Sequence, residues 1–96
     1  MKSSRTVAIA SPIGLHARVA ARFVQRVASW HLPVTLGRVG HKPVNAASMI
    51  AIMSLNVRHG EEVVLETAGA GADEVLDDLA AQLANHIDEE EIQAVG

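Results

Sequence analysis

Five consecutive residues carry the strongest chemical signal in the chain: Gly14, Leu15, His16, Ala17 and Arg18. They follow a breaking segment, Ser11-Pro12-Ile13-Gly14, and lead into a stretch of helical periodicity that begins at Ala17. The histidine therefore falls where a loop enters a helix. The first N–H groups of a helix have no partner inside it and point toward an incoming anion. A neutral imidazole nitrogen is nucleophilic, and histidine titrates close to neutrality. A phosphoryl group on the His16 ring would be held by those N–H groups. Arg18 would add a charge-assisted bond to the same oxygens. Gly14 would let the loop approach closely with no side chain in between. On the pattern alone a second reading stays open, in which His16 is a capping or surface histidine without chemistry.

The remaining candidates are weaker. His31, His41 and His59 lie at expected turns or strand ends, and His86 lies late in the last helix. Their spacing matches no zinc signature, and with no cysteine neither a metal site nor thiol chemistry is expected. Ser48 stands in front of a short apolar segment, where a serine caps a helix.

The elements that must position these residues follow from periodicity. Thr6 to Ala10 reads as a strand, with Val7 and Ile9 on one face. Ala17 to Ala28 reads as a helix whose apolar stripe is Ala20, Phe23, Val24, Val27 and Ala28. Leu32 to Arg38 is expected to be a second strand and His41 to Asn45 a third. Pro43 places that third strand at an edge, where a missing N–H is tolerated. Ser48 to Leu55 is a short helix that needs a surface to lie against. Glu61 to Thr67 is the fourth strand. Asp73 to Ile87 is the clearest helix, with Leu76, Leu79, Ala80, Leu83 and Ile87 as its stripe and two acids in its first turn. Residues 89 to 96 read as a frayed acidic tail. The order βαββαβα with one apolar face per strand implies an α/β (α+β) two-layer open-faced sandwich. Its four-stranded, mainly antiparallel sheet carries three helices on one side.

Composition sets the limits. A chain of 96 residues is one domain, with room for one core but not for a deep chamber besides. Eight Lys and Arg against eleven Asp and Glu leave a formal net charge of −3, and Phe23 and Trp30 are the only aromatic residues. A nucleic-acid binder needs a basic excess and stacking faces, and this chain has neither. The cations lie early and the acids late, which suits docking of one positive face to an acidic protein surface. No window is apolar enough to span a membrane, and the first residues do not read as a signal peptide, so a cytoplasmic location without membrane insertion is expected.

The chain resembles the HPr family, the histidine-containing phosphocarriers of the phosphoenolpyruvate-dependent phosphotransferase system. The resemblance runs through Gly14-Leu15-His16-Ala17-Arg18, then Asn45 to Leu55, then Gly60-Glu61-Glu62-Val63 and Gly69 to Glu74 with the Leu-rich helix. It implies that His16 is phosphorylated at Nδ1 by Enzyme I and donates to an EIIA-type domain. It also implies that Arg18 steadies the phosphate and that no cofactor is needed. In these terms the protein is a covalent relay component rather than a stand-alone enzyme. Ser48 matches the serine that an ATP-dependent HPr kinase/phosphorylase modifies in many members. Leu15, Met49 and Met53 match docking positions, and either Ile50 or Ile52 is expected to face the sheet. The family motif continues with proline after the arginine, where this chain has Val19. That departure leaves an alternative: a regulatory interaction module, nitrogen-related or deficient in relay, acting through Ser48 and the Met49/Met53 face.

Overall fold

A computed structural model describes residues 2–85. The elements in chain order are β1 (Lys2–Ala8), α1 (Ala17–Trp30), β2 (Val34–Arg38), β3 (Val44–Asn45), α2 (Met49–Ser54), β4 (Glu62–Ala68) and α3 (Ala72–Ala84). The sheet order is β1-β4-β2-β3 and every neighbouring pair is antiparallel. The three helices cover one face, as the sequence implies.

The alternation in β4 explains why it sits in the middle. Val63, Leu65 and Thr67 point into the core while Glu62 and Ala68 are exposed. Thr67 is the polar member of that set, and its hydroxyl is satisfied by donating to the Pro33 carbonyl at 2.6 Å. Against this face pack Phe23 from α1, Ile52 from α2, and Val75, Leu76 and Leu79 from α3, all essentially buried. Each such side chain stabilises the fold by roughly 1.5–3 kcal/mol, several times a surface ion pair, so the apolar stripes fix which way the helices face.

The strand limits depart from periodicity where backbone partners decide. β1 starts at Lys2 rather than Thr6, because β4 pairs with it from Lys2↔Ala68 to Ala8↔Glu62. β2 begins only at Val34, after Pro33. β3 shrinks to two residues. Pro43 lacks an N–H for the ladder, and its Cα would lie 2.9 Å from a Cβ on Gly37, so the chains already touch there. α1 runs on to Trp30 and ends on His31 in the left-handed region. Ala28 is exposed and Val24 half-buried, so the α1 stripe is narrower than expected. α3 spans Ala72–Ala84 and Asn85 is already extended, so the helix stops short of the expected Ile87; Ile87 itself and the acidic tail lie outside the described residues. Among those residues no helix is long and apolar enough to cross a membrane.

Candidate functional site

The loop carrying His16 is held on a second loop, residues 55–61, that leaves α2. Beyond β1, the Ile9 N–H donates to the Glu61 carbonyl at 3.0 Å and the Gly60 N–H donates to the Ile9 carbonyl at 2.9 Å. The Gly14 N–H closes a turn on the Ser11 carbonyl, and the Leu15 N–H donates to the Val57 carbonyl, both at 3.0 Å. His59 Nδ1 donates to the Ser11 carbonyl at 3.1 Å, since a carbonyl can only accept. Gly14 has φ +72°, and a Cβ on it would overlap the Val57 carbonyl oxygen and stand 2.9 Å from Arg58 Cα. Glycine is therefore required for the two loops to touch.

Leu15 was expected at the docking surface, but its side chain is only 4% exposed and belongs to the core. The loop has to be anchored inward for the next residue to stand at the surface, and Leu15 is that anchor. His16 is the N-cap residue of α1, with extended backbone (φ −88°, ψ −178°), and its carbonyl accepts the Ala20 N–H at 2.8 Å. Ala17, Arg18 and Val19 consequently carry the first N–H groups of the helix, with no carbonyl one turn back to receive them. The His16 ring does not cap the helix. Its Nε2 is enclosed and has no partner among the described residues.

Arg18 is exposed and makes no hydrogen bond or ion pair among the described residues. Arg26, two turns further along the same helix, is occupied by both carboxylate oxygens of Asp78 at 2.7 Å. Val19 is half-buried and packs against the core. It is the third helical residue, so its N–H belongs to the unbonded first set.

On α2 the serine cap forms as the sequence implies: Ser48 Oγ accepts the Ala51 N–H at 3.2 Å. Ile52 is the residue that faces the sheet, and Met49 is half-buried against the core. Ile50 is 84% exposed and Met53 42% exposed. Ile13, on the loop one residue before Gly14, is also largely exposed. Sequence reasoning missed it, although an isoleucine inside a Ser-Pro-x-Gly break has no element to bury it. A groove of about 680 Å³ between α1 and α3 has Arg22, Gln25, Arg26, Asp78 and Gln82 among its walls, and neither His16 nor Arg18 lines it. Histidine chemistry here would take place at the surface. No group of three or more His, Asp or Glu side chains suited to a metal ion occurs among the described residues.

Comparison with known proteins places this arrangement. The family model described as the phosphorylation site of the HPr component of the phosphotransferase system matches residues 3–85. The phosphocarrier protein HPr of Streptomyces coelicolor is 39% identical over 87 residues, 91% of this chain and 94% of that protein. The HPr-like protein Crh of Bacillus subtilis is 42% identical over 74 residues, covering 77% of this chain and 86% of its own. The crystal structure of HPr from Bacillus anthracis superposes with a TM-score of 0.79 at 36% identity, over 85% of this chain and 96% of that one. The chain belongs to the HPr family of phosphocarrier proteins of the phosphotransferase system.

Proposed function

We propose that this chain accepts a phosphoryl group from Enzyme I on His16 Nδ1 and passes it to an EIIA-type domain. The observation that carries this reading is the state of the His16 ring. Nε2 is enclosed without a partner among the described residues, and the histidine stands at the N-terminus of α1, two residues before Arg18, which makes no hydrogen bond or ion pair among the described residues. In the tautomer with the proton on Nε2, the Nδ1 lone pair attacks the phosphorus of the donor. The Nδ1–P bond forms as the donor's bond to phosphorus breaks, and that electron pair returns to the donor. Arg18 and the first N–H groups of α1 meet the phosphoryl oxygens. Donation is the same exchange in reverse, with the acceptor's nucleophile attacking. The partner's active site encloses the reaction, which explains why a surface histidine suffices.

The exposed Ile13, Ile50 and Met53 form the apolar part of the docking face in this reading, and Met49, half-buried against the core, opens the helix that carries the last two. A second reading, regulation through Ser48, is favoured by its place as the cap of the helix that carries Ile50 and Met53. A phosphate added there by an ATP-dependent kinase would bring a dianion to the edge of that face.

The test is incubation with Enzyme I, Mg²⁺ and phosphoenolpyruvate, read by intact mass. The parent chain is expected to gain one acid-labile phosphoryl group, and the His16→Ala variant none. Equal labelling of the variant would move the site elsewhere. No labelling of the parent, while a known HPr is labelled in the same assay, would overturn the relay reading.

A further inference from the structure

Glu61 lies 45 residues from His16 in sequence, yet its side chain closes the loop on which the His16 loop rests. Its Oε1 accepts the Arg58 N–H at 2.7 Å. Its Oε2 accepts from the Arg38 guanidinium in a short charge-assisted contact. Arg38 itself extends from the end of β2 and donates through its other terminal nitrogen to the Leu55 carbonyl at 3.3 Å. The pair thus ties both ends of the segment 55–61 to the sheet. That segment presents the Val57 carbonyl to the Leu15 N–H, and its backbone at Val57 and Arg58 fills the space where Gly14 has no side chain.

We propose that Glu61, braced by Arg38, is a positioning residue for His16. It fixes the Val57–Arg58 backbone, which fixes Leu15, which sets the direction of the next side chain. The inference rests on the proposed role of His16 for its kinetic consequence, but not for its structural one. Two observations make positioning, rather than stability, the expected effect. The Arg38 and Glu61 side chains are 36% and 32% exposed, so the ion pair is partly screened and contributes little to global stability. The Leu15 N–H bond to Val57 that it supports, by contrast, is made by the residue immediately before His16, and a displacement of about 1 Å at a reacting group can reduce transfer by up to about a hundredfold.

The experiment compares Glu61→Ala and Glu61→Gln with the parent chain by amide hydrogen exchange, melting temperature and phosphoryl transfer. Gln keeps a carbonyl oxygen for one of the two donors, and Ala keeps nothing. Glu61→Ala is expected to speed exchange at the Leu15 amide at least about tenfold, leave the Val63 and Leu65 amides unchanged, and barely move the melting temperature. Its kcat for phosphoryl acceptance is expected to fall about tenfold with KM for Enzyme I little changed. Glu61→Gln is expected to recover most of both effects. A Leu15 amide that exchanges as in the parent overturns the proposal. So does a uniform rise in exchange with a lower melting temperature, which would mark Glu61 as merely structural. Local loosening at Leu15 in a protein whose parent form takes up no phosphoryl group would sink the relay reading and leave the loop anchor standing.

Discussion

A methyl group added at Gly14 has nowhere to go. The residue sits at φ +72°, and the atoms that a Cβ would meet, the Val57 carbonyl oxygen and Arg58 Cα, are backbone atoms of a loop that is itself bonded to Leu15. Relief requires the two loops to separate, which would break the Leu15 N–H bond to Val57 as well. Gly14→Ala is therefore expected to lose about 2–4 kcal/mol, combining the left-handed strain with overpacking. Gly60 has a similar φ of +84° but nothing within 4 Å, so Gly60→Ala is expected to lose only about 1 kcal/mol. Urea denaturation of the two variants checks the difference, and equal losses would mean that close approach at Gly14 adds nothing to the strain. Val19 is governed by its neighbours in another way. As the third residue of α1 it has no carbonyl one turn back, so a proline at this position would break no helical bond. What valine adds is one more unbonded N–H at the end of the helix that holds His16, together with apolar contact with the core.

At the level of elements, α2 shows how a six-residue helix can both fold and offer a surface. It is too short to be stable alone, so it depends on the Ser48 cap and on one buried side chain, Ile52. Its neighbour of the same type, Ile50, points to solvent. Ile52→Ala is expected to destabilise by about 2–5 kcal/mol, and Ile50→Ala by no more than about 0.5 kcal/mol. Thermal or urea unfolding checks the contrast, and a comparable loss at Ile50 would show that the exposed residue supports the fold. The sequence alone offered both isoleucines, because a run as apolar as Met49-Ile50-Ala51-Ile52-Met53 has no polar face to orient it. The longer elements were legible because each carries one clear stripe: Val7 and Ile9, Ala20 with Phe23 and Val27, Val63 with Leu65, and Leu76 with Leu79 and Leu83 are all buried. Lys2 to Arg5 gave no such signal, since that part of β1 is polar and becomes a strand through its ladder to β4. The position of His16 at the start of α1 was legible from the loop-breaking residues before it and the helical period after it. The burial of Leu15 was not, because a single leucine next to a histidine has no periodicity to place it. The brace from Arg38 to Glu61 was hidden for a similar reason: the partners are 23 residues apart and come together only when β2 pairs with β4.

At the scale of the whole molecule, the separation of charge along the chain is folded back on itself. Early cations meet late acids across α3: Arg5 contacts Asp73 and Asp77, and Arg26 grips Asp78. The second of these clasps joins the two long helices, because Trp30 Nε1 also donates to Asp78 Oδ2 at 2.8 Å. The Arg26 hydrogen bonds hold the Asp78 carboxyl below its ordinary range, and the Trp30 bond works in the same direction against the opposing effect of partial burial. A group whose folded pKa lies below its unfolded value binds fewer protons in the folded state. Its contribution is therefore present above the unfolded pKa, about 3.9 for an aspartate, and is lost as pH falls through the lower folded value. Asp78→Asn keeps the shape but removes the charge that Arg26 grips. It is expected to melt a few degrees below the parent at neutral pH. The gap should hold steady down to about pH 5 and narrow as the pH falls below about 4, where the unfolded chain's carboxyl takes up a proton that the folded one, held lower by Arg26, does not yet bind. Melting curves of both proteins across that range check it. A gap that stays constant into acid would mean that Asp78 acts through shape and its bond to Trp30. A gap that narrows would make its charge the tie between the helix that begins at His16 and the helix that covers the sheet behind it.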